Sequence, residues 1–153
     1  MEESMKFNSQ VCTTKEQSQH LLDLGLKPET ADMGLVAKIY WGDHWKIQEE
    51  EREYRYCVGY EDTKHFYNNR NDVEVMPAWS LHRLIELLPQ SINLTNYADT
   101  HYYLVIKPSR VLYMNDFKEW LYYNDDTNYY NRLIDCIRWT IEQKLFNKEY
   151  LKQ

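Results

Sequence analysis

Pro77-Ala78-Trp79-Ser80-Leu81-His82-Arg83-Leu84-Ile85-Glu86-Leu87-Leu88-Pro89 is the stretch on which the fold turns. Its apolar residues at 81, 84, 85 and 88 repeat at i, i+3, i+4 and i+7, and prolines bracket the run, so it predicts a helix with one greasy face. Ser80 is placed to cap its first turn. Such a face has to be covered, and the flanking segments supply the cover. Downstream, Tyr102 to Lys107 and Val111 to Met114 read as two strands, joined across Pro108-Ser109 tightly enough for an antiparallel pair. A last helix is expected from about Asn128 to Leu145, with Tyr130, Leu133, Ile134, Ile137, Ile141 and Leu145 as its stripe. Trp139 and Phe146 point away from that stripe at about 100° per residue, so they meet another element or form an exposed patch.

Upstream, Glu61 to Glu74 is polar, rich in Asn and Asp and without a period, which predicts a long surface loop. Glu53 to Val58 alternates polar and apolar residues, and Leu35 to Trp41 is apolar and ends at the turn signal Gly42-Asp43, so the two predict a hairpin. Thr13 with Glu16, and Thr14 with Gln17, are overlapping capping-box patterns that open a short helix. Gly25 and Pro28 end it, placing it from about Thr14 to Leu24. The expected fold is α+β: an antiparallel or mixed sheet of about four strands, packed by two main helices, with a short N-terminal helix at an edge. With 153 residues and no linker or repeat, residues 1–153 read as a single domain.

Eighteen basic residues against 24 acidic ones give a net charge of −6, which opposes general attraction to a phosphate backbone and disfavours long nucleic acid as a partner. Three widely spaced cysteines, Cys12, Cys57 and Cys136, with no CxxC pair, suit a reducing cytoplasmic setting. Cys57 and Cys136 lie within apolar patterns and read as small core hydrophobes, while Cys12 precedes a helix whose positive end would lower its pKa. The amino terminus, Met1-Glu2-Glu3, is acidic where a secretory leader is basic; Met5 offers a second start. Tyr102 to Ile106, the longest strongly apolar stretch, is much too short to span a bilayer.

Three segments carry a resemblance. Cys12-Thr13-Thr14-Lys15-Glu16-Gln17-Ser18, leading to Leu24-Gly25-Leu26 and Thr30-Ala31-Asp32-Met33, is the first. Pro77-Ala78-Trp79-Ser80-Leu81 through Leu88-Pro89 is the second, and Phe146-Asn147-Lys148-Glu149-Tyr150-Leu151 the third. Together they resemble a family of small uncharacterised proteins of gut Bacteroidales, their phages and mobile elements. The resemblance implies a habitat, supplies no chemistry and transfers no functional residue.

Chemistry has few footholds in this sequence. No HExxH and no His pair at i, i+4 is present, so no metal site and no cofactor are expected. GxxxxGK[ST] and GxGxxG are missing, and four glycines are too few for phosphate cradles made of bare backbone. Ser80 and His82 face different directions on a helix and lack a nucleophile elbow. Asp99 and His101 would share one face of a strand and form half of an acid–base site, a weak catalytic pair for a hydrolase. Asp43-His44-Trp45 follows a strand end, where binding residues gather.

Aromatic residues stand out: 14 Tyr, 5 Trp and 4 Phe make up 15% of the chain. Tyr103, Tyr113, Trp79 and Tyr130 read as core. Adjacent rings at Tyr40-Trp41, Tyr122-Tyr123 and Tyr129-Tyr130 cannot all face one interior, so some must be on the surface. Surface aromatics anchor protein interfaces and also stack nucleobases. The expected function is therefore non-enzymatic binding of a partner protein, or self-association, through Trp41, His44, Trp45 and Trp139. A small nucleotide stacked on the same rings is the alternative.

Overall fold

The computed structural model describes residues 9–42, 45–94 and 101–153. Thr14 opens helix α1 (Lys15–Asp23) with a complete capping box: Gln17 N donates to Thr14 Oγ1 at 3.1 Å and Thr14 N donates to Gln17 Oε1 at 3.0 Å. Of the two overlapping patterns, Thr14 with Gln17 is the one used. Gly25 adopts φ +103, the left-handed turn that ends the helix, and Pro28 starts a single 3-10 turn.

Strand β1 (Met33–Lys38) stops at Ile39, and the chain then forms a separate two-stranded hairpin, β2 (Tyr40–Trp41) with β3 (Trp45–Lys46). The expected strand from 35 to 41 is thus two strands in two sheets. Its expected partner is correct: β4 (Arg55–Val58) pairs antiparallel with β1, Leu35 opposite Tyr56.

The segment predicted as a loop holds structure. Helix α2 (Tyr60–Phe66) turns Tyr60 and Thr63 inward, and strand β5 (Val73–Ala78) joins the other side of β1, Leu35 opposite Met76. The three-stranded sheet is ordered β4-β1-β5. Pro77 therefore lies in a strand and not at a helix start. An edge strand tolerates it, because an edge position does not need its amide for the ladder. Helix α3 is correspondingly short (Leu81–Leu87), capped by Ser80 Oγ accepting from Arg83 N at 3.1 Å.

A second, four-stranded antiparallel sheet follows, ordered β6 (Ser91–Asn93), β7 (His101–Lys107), β8 (Arg110–Met114) and β9 (Trp120–Asn124). The β7–β8 pairing is the one predicted, with Val105 opposite Leu112. A single sheet of about four strands is therefore replaced, among the described residues, by three antiparallel sheets within the same α+β class.

Helix α4 (Tyr129–Glu142), capped by Asn128, packs on β8 and β9 and against α1 and α3. Tyr130, Leu133, Ile134 and Ile137 are buried as the stripe requires, and Arg132, Cys136 and Thr140 are buried beside them. Because elements lie on several sides of α4, its covered arc is wider than the stripe alone.

Two apolar clusters result. The larger joins Trp79, Leu84, Tyr113, Tyr122, Ile137 and Phe146, among others, between the four-stranded sheet and the helices. The smaller gathers Cys12, Met33, Leu35, Met76 and Ala78 on one face of the three-stranded sheet. Polar bonds tie them together at Trp79. Its indole N–H donates to Thr30 Oγ1 at 3.0 Å, and the next residue, Ser80, donates through N and Oγ to the Asp32 carboxylate.

Candidate functional site

The hairpin β2–β3 places Trp41 directly opposite Trp45, so two residues four apart in sequence become cross-strand neighbours. Trp41 is 62% exposed and Trp45 75% exposed. The base of the hairpin is fixed: Ile47 is buried, Ile47 N donates to Ile39 O at 2.8 Å, and Ile39 N donates to Asp72 O at 2.8 Å. Lys38 Nζ lies 5.2 Å from the Trp41 ring centroid, a cation on the ring face. His44 lies outside the described residues.

Trp139 does not belong to this surface. It is half-buried, stacked on Tyr122 with centroids 4.9 Å apart and close to Tyr113 at 5.9 Å. Although it lies beyond the apolar stripe of α4, its ring reaches back over the inner face of the four-stranded sheet. Phe146 is likewise buried, edge-on to Tyr150. Both residues pack inside, where the sequence left open an exposed patch.

The polar surroundings of this inner aromatic layer are satisfied. Tyr113 Oη donates to Pro89 O at 2.7 Å, and Tyr122 Oη donates to Asp135 Oδ2. Burial alone would raise the Asp135 carboxyl, but hydrogen bonds from Arg138 and Tyr122 hold it below the usual carboxylate range. Burial pushes the Tyr113, Tyr122 and Cys136 protons well above their ordinary pKa, so all three stay neutral.

Among the described residues the opposite face of the same sheet carries several exposed rings around Leu112, which is itself buried. Strand alternation turns Leu104, Tyr113 and Tyr122 into the core, so Tyr103, Met114 and Trp120 form one outward row and Val105, Leu112 and Tyr123 the next. Tyr103, expected in the core, is 45% exposed here; the inward place on β7 falls to Leu104. Trp120 is 61% exposed and its ring lies 5.7 Å from that of Tyr123. A bulge between Tyr113 and Met114 shifts the register, which brings Trp120 rather than Leu121 opposite Met114.

Asn115 then builds the turn from β8 to β9, its Oδ1 accepting from Phe117 N at 3.0 Å and Glu119 N at 2.9 Å. The turn presents Phe117 beside Tyr103 and His101, where with Asp116 they line a hollow of about 140 Å³. His101 is exposed at the first position of β7, and Asp99, its expected catalytic partner, lies outside the described residues.

A cleft of about 490 Å³ opens between residues 9–16 and the β4 edge, walled by Lys15, Glu49, Arg52, Tyr54 and Tyr56 over Cys12. Both of its cations are already paired. Arg52 Nη1 sits 3.3 Å from Glu74 Oε2, Tyr54 Oη donates to the same oxygen at 2.6 Å, and Lys15 Nζ lies 3.8 Å from Glu49. Burial and the Glu74 hydrogen bond push the Tyr54 phenol up, which keeps it a neutral donor. Burial, with Asp32 nearby, raises the Cys12 thiol to about 11, opposite to the lowering its place before a helix suggests. Cys12 is thus held as a thiol, unsuited to nucleophilic attack at neutral pH. Cys136 is buried as expected; Cys57 is only half-buried.

Among the described residues no group of three or more His, Cys, Asp or Glu side chains could hold a metal ion, and no helix is long and apolar enough to cross a membrane. Sequence reasoning missed Trp120 and Phe117 and had Tyr123 only as one of the adjacent pair Tyr122-Tyr123. Their signal was the spacing Trp120-x-x-Tyr123, obscured because four consecutive large apolar residues hide the alternation of a bulged strand. The chain matches no protein-family model, no curated protein and no solved structure.

Proposed function

We propose that this chain is a non-enzymatic binding protein of phage or mobile-element type, working in the cytoplasm, which docks a partner protein on the Trp41–Trp45 pair. The observation that carries the reading is the direct cross-strand pairing of two largely exposed tryptophans on a hairpin. A tryptophan left in water forgoes about 1.5–3 kcal/mol or more of burial energy. Tryptophan is also the residue type most enriched at the energetic centres of protein interfaces. A short hairpin with a buried root at Ile47 holds both rings in place before contact, which lowers the ordering cost of association.

Acid–base chemistry has little support by comparison, since Lys15 and Arg52 in the cleft over Cys12 are engaged by Glu49 and Glu74 and the Cys12 thiol is held protonated. The test is association: Trp41→Ala with Trp45→Ala abolishes a stoichiometric complex, with a second copy or another protein, while circular dichroism and thermal stability stay at the wild-type values. A complex that survives both substitutions contradicts the reading.

A further inference from the structure

The outer face of the four-stranded sheet carries an inference independent of the hairpin. We propose that it is a platform for a short single strand of nucleic acid, whose bases stack on Trp120, Tyr123 and Tyr103 and whose phosphates meet Arg110 and Lys107. Charge is the first argument. The chain has 24 acidic residues, yet none occupies an outward position on these four strands, although Asp116 of the β8–β9 turn borders the face beside Tyr103 and His101. Those positions are Ser91 and Asn93 on β6 and His101, Tyr103, Val105 and Lys107 on β7. On β8 and β9 they are Arg110, Leu112, Met114, Trp120 and Tyr123. At one end Lys107 stands directly opposite Arg110, two cations side by side. Arg110 Nε is enclosed and finds no hydrogen-bond acceptor among the described residues. That enclosed Nε is out of reach of an external phosphate, so the anion contact falls to the outer guanidinium nitrogens of Arg110 and to Lys107.

Spacing is the second. Tyr123 faces Leu112, two residues along β8 from Arg110, a separation of about 7 Å that suits a base on the ring and its phosphate on the guanidinium. Trp120 and Tyr123 already stand ring to ring at 5.7 Å, and Tyr103 flanks them across β8. Size is the third. Four strands about 4.8 Å apart and about 20 Å long make a face about 15 Å by 20 Å, wide enough for a few bases side by side. A four-stranded sheet of that area takes two or three stacked bases. The negative charge of the remaining chain repels duplex and long strands, so the site selects short single-stranded ligand.

Fluorescence anisotropy with labelled hexathymidylate and hexauridylate, at low salt, tests this. Saturable binding is expected for one or both hexamers, with a hairpin whose stem is a stable duplex binding more weakly. Trp120→Ala and Tyr123→Ala each lower affinity about fivefold or more, and Trp120→Phe restores most of it. Arg110→Gln weakens binding and reduces the salt slope by about 0.7, the value for one lost phosphate contact. Phe66→Ala, which removes an exposed ring on α2 away from this sheet, leaves binding unchanged. No binding by the natively folded chain overturns the proposal, as does affinity that ignores Trp120→Ala and Tyr123→Ala, or duplex binding as tight as single strand. So does sheet-face-dependent association with another protein without oligonucleotide binding.

Discussion

Thr13 and Trp79 hold each other through two hydrogen bonds across the junction of both apolar clusters. Thr13 N donates to Trp79 O at 2.9 Å, and Trp79 N donates to Thr13 Oγ1 at 3.0 Å. The same hydroxyl lies 2.7 Å from Ser18 Oγ, and all three residues are essentially inaccessible to water. A short N-terminal segment is thereby locked to the end of β5, which fixes how α1 sits between the sheets.

Thr13→Val keeps the shape and removes the hydroxyl, leaving the Trp79 amide and Ser18 without a partner in the interior. Urea unfolding is expected to show a loss of about 1–3 kcal/mol. Thr14→Ala, which removes only the exposed cap of α1, costs about 1 kcal/mol. A smaller effect at Thr13 than at Thr14 would contradict the role given to the junction.

Tryptophan substitutions separate core from surface. Trp139→Ala opens a cavity beside Tyr122 and Tyr113 and is expected to destabilise by about 2–4 kcal/mol, somewhat below the range for a fully buried ring. Trp41→Ala and Trp45→Ala touch exposed rings and should stay within about 0.5 kcal/mol of wild type. Chemical denaturation of the three variants checks the ordering.

Asp135 makes stability depend on acid. Its folded pKa lies below the unfolded value, so on acidification the unfolded chain takes up the proton first. Stability present at neutral pH therefore falls as pH drops through about 4, the unfolded range, and continues to fall until the folded group titrates. Asp135→Asn should be less stable at pH 7 and show a shallower decline in Tm toward pH 3.

Thiol reactivity reports burial directly. Cys57 is half-buried, whereas Cys12 and Cys136 are buried and held protonated. A thiol reagent at pH 7.5 is expected to modify one cysteine in the native chain, Cys57, and three in denaturant. Fast native modification of Cys12 would contradict its position beneath the cleft.

The readable parts of the sequence were those where one physical signal dominated. Periodicity located the greasy faces of α3 and α4, and alternation with a proline turn located β7 and β8. Pro77 misled because a proline before an apolar helix face looks like a helix start; only the edge position of β5 reveals its place in a strand. Helix α2 escaped notice because it buries only one turn's worth of side chain, Tyr60 and Thr63, against β1, and Thr63 reads as polar. Trp41 was legible as a surface aromatic because it adjoins Tyr40 and neighbours on a strand cannot share one interior, and Trp45 because it follows an expected strand end. Trp139 was not, because its inward reach depends on Tyr113 and Tyr122, which arrive from strands far off in sequence.

The most direct test is to express the tagged chain in the cell it comes from, isolate its complex, and repeat the isolation with Trp41→Ala plus Trp45→Ala. The expected result is a partner, or a second copy, in fixed stoichiometry, lost from the double variant although its Tm is unchanged and kept when Trp120 and Tyr123 are replaced instead. A chain that stays monomeric and alone, or a partner that remains bound without either tryptophan, would contradict the account.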